Sequence, residues 1–330
     1  MPRPRSQKVE LVTQKLRTRL QAGVHRPGER FLSTRELEST FGISYQTAHR
    51  VLGELCGEGL LERRAGSGTF IPGGIVDLQG VQLIMNPRAN IPKSFGARLL
   101  EDLTQRLDND RISWKLSWTD GTERVSRTRL PILWEAREAL RECGASNRCA
   151  LLLNDRPRPG LESALIDSVS IDDFSGGASA AGLLKNVAPR QSRFVVVTGP
   201  EEDSRSQDRR DGFLSVCEDA RVVVAGSWFL EDGTKVAPTV VREGVDGIFC
   251  CNDRLAEAVW RWCETHECPL PPLIGFDNAP IAESLDLTTI AIPWDDMITG
   301  ALDVVKKRLS GGGGAARQLI LTPLPIIRRL

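Results

Sequence analysis

The sequence predicts an α/β protein with a small N-terminal domain, residues 1–75, and a large domain, residues 76–330. Two capped helices and a short hairpin are predicted in the small domain, whereas short apolar strands alternate with amphipathic helices from about residue 80 onward. This alternation is typical of parallel sheets covered by helices on both faces. Because about 255 residues are more than one open sheet usually contains, we expect two doubly wound lobes that face a cleft.

The N-terminal domain opens with an amphipathic segment, residues 6–22, in which Val and Leu recur at helical spacing. Ser33 is placed to cap a second helix, since Glu36, three residues later, completes a capping box. Gly42 suits the left-handed position that ends this helix, and Ser44 is placed to cap a third helix. The pattern predicts two consecutive helices joined by a glycine turn.

The third predicted helix has an apolar face and a polar face. Its apolar residues recur at three- and four-residue spacing: Ala48, Val51, Leu52 and Leu55. The residues that turn outward are Tyr45, Gln46, His49 and Arg50. In a helix-turn-helix the start of the second helix enters the major groove, where Arg pairs with guanine and Gln with adenine. Because a polar helix face is more often only a solvated surface, this hypothesis depends on the segment that follows.

A hairpin is predicted directly after the third helix. Residues 60–71 read as two short strands around the turn Gly66-Ser67-Gly68, which makes the N-terminal domain a winged helix. Arg63 and Arg64 lie beside the turn and are placed to contact phosphate or the minor groove. Residues 1–75 carry 12 Lys and Arg against 7 Glu and no Asp, a net charge of +5, and the rest of the chain carries −5. A basic module on an acidic body favours a nucleic-acid partner.

Residues 8–72 resemble the GntR family of bacterial transcription factors. Besides the leading helix, the resemblance rests on Pro27-Gly28-Glu29-Arg30, Ser33-x-Arg35-x-Leu37, Phe41-Gly42-Ile43-Ser44, Thr47 and Gly66-Ser67-Gly68-Thr69-Phe70. The sequence departs from the family at Tyr45 and His49, where the family usually carries Arg. Residues 45–50 are instead similar to the start of the recognition helix of the lactose repressor. We therefore do not expect the usual GntR operator.

The helix spacing, the wing and the resemblance together predict a set of DNA-contacting residues. They are Ser33, Thr34, Arg35, Ser44, Tyr45, Gln46, Thr47, His49, Arg50, Arg64, Gly66, Ser67 and Gly68. One winged helix reads only one half-site, so we expect a homodimer on a near-palindromic operator in double-stranded DNA.

The large domain follows a regular order of predicted elements. Predicted strands are residues 81–85, 114–118, 150–153, 194–198, 221–224, 247–251, 273–275 and 318–321. Predicted helices are residues 95–107, 130–143, 176–185, 208–220, 253–266 and 296–309. A flexible turn is predicted at residues 311–314, just before the last strand.

Residues 80–330 resemble the effector-binding domain of the lactose-repressor family, which is itself similar to periplasmic sugar-binding proteins (type 1). The matching motifs are Ile171-Asp172-Asp173-x-x-Gly176-Gly177, Val197-Thr198-Gly199-Pro200, Arg209-x-x-Gly212-Phe213, Asp246-Gly247-Ile248-Phe249-Cys250-Cys251-Asn252-Asp253-x-x-Ala256, Ile274-Gly275-Phe276-Asp277-Asn278 and Leu287-Thr288-Thr289-Ile290. The first lobe, to about residue 170, matches weakly, so the resemblance assigns no ligand contact there.

Polar residues at or just past predicted strand ends form the expected ligand site: Arg209, Asn252, Asp253 and Asp277. The resemblance implies that Arg209 and Asp277 contact the ligand, and it places Trp228 near a position that holds a stacking aromatic ring. For Asn252 and Asp253 the alternative is a helix cap, since both residue types cap helices. Trp294 is a candidate for the cleft edge. Trp134 is predicted to lie on an amphipathic helix and to point into the core of the domain.

The composition excludes several other classes of protein. The start of the chain has no apolar run after its positive charges, and no stretch is apolar enough to span a membrane, so we expect a cytoplasmic protein without membrane contact. Eight cysteines without a C-x-x-C pair and three histidines favour reduced thiols and no metal site. Cys263, His266 and Cys268 lack a second ligand pair at metal spacing.

These patterns predict a transcriptional regulator, a repressor controlled by a small sugar-like effector. One alternative is an activator with a non-sugar ligand. Another is an enzyme, since some GntR proteins carry an aminotransferase-like domain. Against an enzyme, no lysine lies in a convincing cofactor setting and no Ser-His-Asp or paired-carboxylate arrangement can be recognised, so no catalytic residue and no cofactor is predicted. A transport protein is disfavoured by the winged helix and by the lack of a signal peptide.

Overall fold

A computed structural model describes residues 7–21, 25, 28–72, 78–120, 124–145, 148–157, 166–188, 192–241, 244–311 and 316–330. The chain divides into two compact units. The first consists of Met1–Ser170 with Met297–Leu319, and the second of Ile171–Asp296 with Ile320–Leu330. The domain boundary predicted at residue 75 and Gly312 to Gly314 of the predicted turn lie outside the described residues.

The N-terminal module is the predicted winged helix. Helices α1 (Gln7–Gln21), α2 (Thr34–Phe41) and α3 (Tyr45–Gly57) precede strands β1 (Glu62–Arg64) and β2 (Gly68–Phe70), which pair antiparallel. The apolar stripe of α1 packs against α2 and α3 in one core. Its buried residues are Val9, Val12, Leu16, Leu20, Phe31, Leu37, Ile43, Ala48, Val51, Leu52, Leu55, Leu61 and Ile71.

The helix ends in this module use the predicted caps. Ser33 Oγ accepts a hydrogen bond from Glu36 N at 3.2 Å, and Ser33 N donates to Glu36 Oε2 at 2.6 Å, which completes the capping box. Gly42 takes a φ of 57°, the left-handed conformation that glycine adopts without strain. Ser44 Oγ accepts from Thr47 N at 3.3 Å and so caps α3.

The remaining chain alternates strands and helices. The strands are β3 (Val81–Met85), β4 (Trp114–Trp118), β5 (Leu130–Trp134), β6 (Ala150–Leu153), β7 (Ile166–Ile171), β8 (Phe194–Thr198), β9 (Arg221–Val224), β10 (Gly247–Cys250), β11 (Leu273–Asp277), β12 (Thr288–Ala291), β13 (Gln318–Leu321) and β14 (Leu324–Ile326). The helices are α4 (Phe95–Asn109), α5 (Arg137–Ala145), α6 (Asp173–Val187), α7 (Ser204–Leu214), α8 (Leu230–Val240), α9 (Asp253–Thr265), α10 (Pro280–Ser284) and α11 (Trp294–Leu309).

These strands form two six-stranded sheets. The first has the order β13-β7-β6-β5-β3-β4 and the second the order β14-β12-β11-β10-β8-β9. Neighbours from β3 to β7 and from β8 to β12 run parallel, and β14 is antiparallel to β12. The predicted pair of doubly wound sheets is therefore confirmed. In such sheets the loops at the carboxyl ends of the strands carry the binding residues.

The prediction of a single helix over residues 130–143 was wrong. Residues Leu130–Trp134 form strand β5, which lies between β3 and β6 and is buried at every position, and α5 begins only at Arg137. A short apolar run has no periodicity that separates a buried strand from a buried helix. Trp134 accordingly lies at the end of a strand, not on an amphipathic helix.

Other elements were missed or shifted for identifiable reasons. Strand β7 was missed because the polar residues Asp167, Ser168 and Ser170, which are buried, interrupt its apolar pattern. Helix α8 was missed because Gly233 and Pro238 weaken its helical pattern. Strands β12 and β14 were also not predicted. Helix α7 begins at Ser204 instead of residue 208, because Asp203 caps it by accepting from Arg205 N at 3.0 Å, and it ends at Leu214.

A buried ion pair fastens α11 to β7 in the first unit. Arg308 donates from Nε to Asp167 Oδ2 at 2.7 Å and from Nη2 to Asp167 Oδ1 at 3.0 Å. Arg317 N donates to the same Oδ1 at 2.8 Å. Each of the two charged side chains is only 2% exposed. Such a pair stabilises only while both charges are present, because one buried charge alone is costly.

We therefore expect Asp167→Ala to lower the free energy of unfolding by about 3–5 kcal/mol. A matched control is Asp110→Ala, which removes a more exposed pair with Lys306 of the same helix α11 and costs less than about 1 kcal/mol. Urea unfolding followed by circular dichroism compares the two variants. Equal losses would contradict a structural role of the buried pair.

Candidate functional site

The N-terminal half of α3 presents the polar face that the sequence predicts. Tyr45, Gln46, His49 and Arg50 are exposed, and Tyr45 is 50% exposed although it is aromatic. Thr47 is half-buried, with its hydroxyl 2.9 Å from Ser44 Oγ. An exposed row at the start of a second helix is the arrangement that reads base edges in the major groove.

The start of α2 contributes fewer free side chains. Ser33 and Thr34 are half-buried and Arg35 is exposed. The Ser33 and Ser44 hydroxyls accept hydrogen bonds from the amides of their own helices, so each is committed to a cap. Exposed backbone N–H groups at helix starts suit phosphate oxygens.

The wing folds back on α3. Gly66 and Gly68 have φ values of 72° and 121°, which allow the tight turn between β1 and β2. Arg64 pairs with Glu62, and its Cζ lies 4.5 Å from the centroid of the Phe70 ring. Arg63, expected to contact phosphate, instead donates to His49 on α3. Of the two wing arginines, Arg63 thus contacts α3, whereas the contacts of Arg64 lie within the wing.

Arg209 on α7 is the centre of a charged cluster in the second unit. Its Nε donates to Asp173 Oδ1 at 2.7 Å, and its Nη1 donates to Asp277 Oδ1 at 3.1 Å and to the Cys251 carbonyl at 2.6 Å. The guanidinium carbon lies 3.7 Å from the ring centroid of Phe276. Because Asp173 begins α6, Cys251 directly follows β10 and Asp277 ends β11, one side chain joins the start of a helix to two neighbouring strand ends of the second unit.

Asp277 combines backbone strain with an available oxygen. Its φ is 103°, a conformation that residues other than glycine rarely adopt. Its Oδ1 accepts from Arg209, whereas among the described residues Oδ2 accepts no hydrogen bond and Arg209 Nη2 donates none. Burial raises the pKa of Asp277 to about 6, the Arg209 charge opposes this rise and Asp173 adds to it. The ion pair of Arg209 with Asp277 thus keeps one acceptor and one donor without a partner among the described residues.

Trp228 is held rigidly beside this cluster. Its Nε1 donates to Asp203 Oδ2 at 3.0 Å, and its ring packs on Gly199, where an added Cβ would lie 2.6 Å from ring atoms. The guanidinium carbons of Arg205 and Arg209 lie 5.9 and 5.6 Å from its ring centroid. Trp228 is 8% exposed. The ring has no room to turn without moving the backbone at residue 199.

Arg205 also fixes the charge of Asp203. Its Nε and Nη2 donate to the two carboxylate oxygens at 2.9 and 2.6 Å. Burial would raise the pKa of Asp203, but the hydrogen bonds and charge of Arg205, with the indole of Trp228, hold it well below its usual range. Asp203 is therefore ionised at neutral pH.

Asn252 and Asp253 are engaged within the protein. Asn252 Oδ1 accepts from Leu255 N at 2.8 Å and caps α9, and its Nδ2 donates to the Trp228 carbonyl at 2.9 Å. Asp253 accepts from Ala279 N at 2.6 Å and from the Thr289 hydroxyl at 2.7 Å, with 1% exposure. Burial and the nearby Asp277 raise the pKa of Asp253 well above its usual value. Both side chains thus hold the loops of the site in place.

The first unit has polar atoms that the sequence prediction missed. Trp134 Nε1, Asn154 Oδ1 and Ser170 Oγ are buried at or near the carboxyl ends of β5, β6 and β7 and have no partner among the described residues. The Trp134 ring stacks on Phe95 at 6.2 Å between centroids. Asn154 directly follows an apolar strand, and this signal would have identified it. Trp294, the candidate for the cleft edge, is buried at the start of α11.

Two kinds of feature are absent from the described ranges. No group of three or more His, Cys, Asp or Glu side chains is arranged to hold a metal ion there. Within the same ranges no helix is both long enough and apolar enough to cross a bilayer.

Two family models match the two parts of the chain. Residues 8–71 match the family model described as bacterial regulatory proteins, gntR family. Residues 188–329 match the periplasmic binding protein-like domain. The chain therefore carries a GntR-type helix-turn-helix followed by a periplasmic-binding-protein-like domain, as its two sequence resemblances implied.

Individual proteins match these two parts separately. Residues of this chain are 45% identical over 62 positions to the histidine utilization repressor of Klebsiella aerogenes, which is 19% of this chain and 26% of the relative. They are 21% identical over 175 positions to the ribose operon repressor of Haemophilus influenzae, 49% of this chain and 52% of the relative. The chain thus covers at most about half the length of either curated relative.

A solved structure agrees with the fold of the large domain. It is a LacI family transcriptional regulator from Enterococcus faecalis V583 with bound ribose. The two chains are 20% identical, the match covers 75% of this chain and 97% of the other, and the TM-score is 0.63. At this identity the likeness shows the fold alone.

The raised pKa of Asp277 predicts how stability changes with pH. A carboxyl whose pKa rises from 3.8 to about 6 on folding stabilises the fold fully below about pH 4, and this contribution is lost as the pH rises through about 6. Relative to Asp277→Asn, the unchanged protein should lose up to about 3 kcal/mol between these pH values. Urea unfolding of both proteins from pH 4 to 8 tests this. Parallel stability curves would show that Asp277 titrates normally.

Proposed function

We propose that the chain is a transcriptional repressor whose N-terminal module binds operator DNA and whose large domain binds a small neutral polar effector, a sugar. The observation that carries this proposal is the pairing of Arg209 with Asp277, which leaves Arg209 Nη2 as a donor and Asp277 Oδ2 as an acceptor without a hydrogen-bond partner among the described residues. A sugar hydroxyl can accept from a guanidinium N–H and donate to a carboxylate oxygen.

The exposed start of α3 supports the DNA partner. Its polar row is not used for packing, and the surrounding module is basic. In this proposal Tyr45, Gln46, His49 and Arg50 read base edges, while Arg64 and the turn of the wing contact the backbone. The identity of this module to a repressor supports the same role.

The charges near Trp228 favour a neutral effector. Arg205 is paired with Asp203, and Arg209 with Asp173 and Asp277, so neither arginine brings an unpaired charge for an anionic ligand. A neutral hydroxyl group can accept from the guanidinium and donate to the carboxylate without adding a charge to these ion pairs. The ribose bound to the Enterococcus faecalis regulator, together with the name of the Haemophilus influenzae relative, supports a sugar.

The named ligand residues fall into two roles. We assign direct contact to Arg209 and Asp277 and an aromatic wall to Trp228, whereas Asn252 and Asp253 support the loops that carry them.

The remaining parts of the proposal follow from the DNA partner. A homodimer on a near-palindromic operator would place two winged helices on two half-sites, and DNA places the protein in the cytoplasm. An effector that prefers one of two states changes operator affinity by about 1–3 kcal/mol. Both curated relatives are repressors by name, which favours repression over activation and over an enzyme.

Arg50→Ala and Arg64→Ala separate base reading from backbone contact. Loss of a base contact should weaken operator binding by about 1–3 kcal/mol and random DNA much less. Loss of a backbone contact at Arg64 should weaken both alike. Fluorescence anisotropy with both DNAs at fixed salt gives the ratios. Equal ratios for the two variants would exclude Arg50 as a base reader.

Asp277→Ala tests the effector site. In a buried site the loss of an ionised acceptor should reduce effector affinity by about 1–3 kcal/mol or more and leave operator binding without effector nearly unchanged. In the unchanged protein, affinity should fall below about pH 6, as Asp277 becomes protonated. Calorimetry with a panel of pentoses and hexoses, including ribose, identifies the ligand first.

Asp219→Ala is the matched control, since Asp219 is an exposed aspartate of the same unit outside the cluster. Its effector affinity should equal that of the unchanged protein. Unchanged binding by Asp277→Ala would remove Asp277 from the site, and a loss of operator binding would assign it a structural role.

A further inference from the structure

The wing and the recognition helix α3 are joined by one arginine. Arg63, the middle residue of β1, donates from Nη1 to His49 Nε2 at 2.8 Å and from Nη2 to the His49 carbonyl at 3.0 Å. Two bonds from one planar guanidinium fix the imidazole relative to its own backbone. His49 is exposed and lies in the polar row of α3.

These contacts determine where the imidazole carries its proton. A guanidinium has only donors and does not lose its charge, so the nitrogen that it faces must hold a lone pair. Nε2 of His49 is therefore the acceptor, and in the neutral ring the hydrogen is on Nδ1. Among the described residues Nδ1 has no protein partner. The free nitrogen of His49 is thus a donor and not an acceptor.

We propose that Arg63 holds His49 as a hydrogen-bond donor to an operator base, so that a residue of the wing decides which bases the recognition helix accepts. A donor pairs in the major groove with guanine N7 or O6, adenine N7 or thymine O4. It cannot pair with the amino group of cytosine, which itself donates. An imidazole without Arg63 changes tautomer and accepts either kind of partner. This inference rests on the proposed function.

The first test needs no DNA. The chain has three histidines, so nitrogen-15 spectra of the histidine-labelled full chain can be assigned with His49→Ala. The His49 ring should carry its hydrogen on Nδ1. In Arg63→Met it should revert to the Nε2-protonated form that free histidine side chains favour in water, and in Arg63→Lys, which keeps a donor, it should not. An Nε2-protonated ring in the unchanged protein would overturn the proposal.

The second test measures base preference. The full chain and the variants select from a randomised duplex library, and His49→Ala identifies the base pair that depends on His49. At that pair Arg63→Met should lose on the order of tenfold discrimination against cytosine, with the other positions unchanged, while Arg63→Lys keeps it.

The outcomes of the selection are distinguishable. Arg63→Met with an unchanged preference, or with a uniform loss at all sequences, would overturn the specificity role and leave Arg63 as a backbone or structural contact. If the unchanged protein selected no sequence, the proposed function itself would fail, and the inference with it.

Discussion

The large domain depends on the neutralisation of one buried guanidinium. Arg209 is 3% exposed, and a charge taken so far from water is tolerated only when its partners are close and well oriented. Asp173 and Asp277 supply the charge, the Cys251 carbonyl supplies a further acceptor, and Phe276 lies under the plane. The segments that bear these partners are therefore held at fixed positions. Such rigidity is what the proposed effector site would need in order to distinguish a small ligand by its hydroxyl groups.

The same cluster explains why the neighbouring acidic residues behave differently. Asp203 is bound by Arg205 on both oxygens and stays ionised, whereas Asp253 is buried with a hydroxyl and an amide as its partners and accepts from no cation of the described residues. Asp277 lies between these extremes, since one oxygen faces Arg209 and the other is available. Residue type alone therefore does not decide which carboxylate keeps an oxygen available, as proposed for ligand binding by Asp277, and which one supports a loop.

Features that depend on residues close together in the sequence were predicted well, and features that depend on contacts between distant residues were predicted poorly. The caps at Ser33 and Ser44 depend on residues within three positions, and the alternation of apolar strands gave the class of the large domain. Strand β5 was missed because burial on both faces removes periodicity, and β7 because polar residues that are satisfied or buried by tertiary contacts look like a loop. The contact of Arg63 with His49 joins residues fourteen positions apart through a hairpin, so neither composition nor spacing indicates it.

The side chain of Asn252 acts as a hydrogen-bond acceptor for one partner and as a donor for another. Its oxygen accepts from the first turn of α9, and its amide nitrogen donates to the backbone of Trp228. Aspartate caps helices equally well but offers no hydrogen to that carbonyl. The choice of an amide at this position is thus imposed by the aromatic wall and not by the helix. Deamidation of Asn252 on storage would keep the cap of α9 but remove the hydrogen bond to Trp228, so an aged sample would retain its helical content while the proposed effector site loosened.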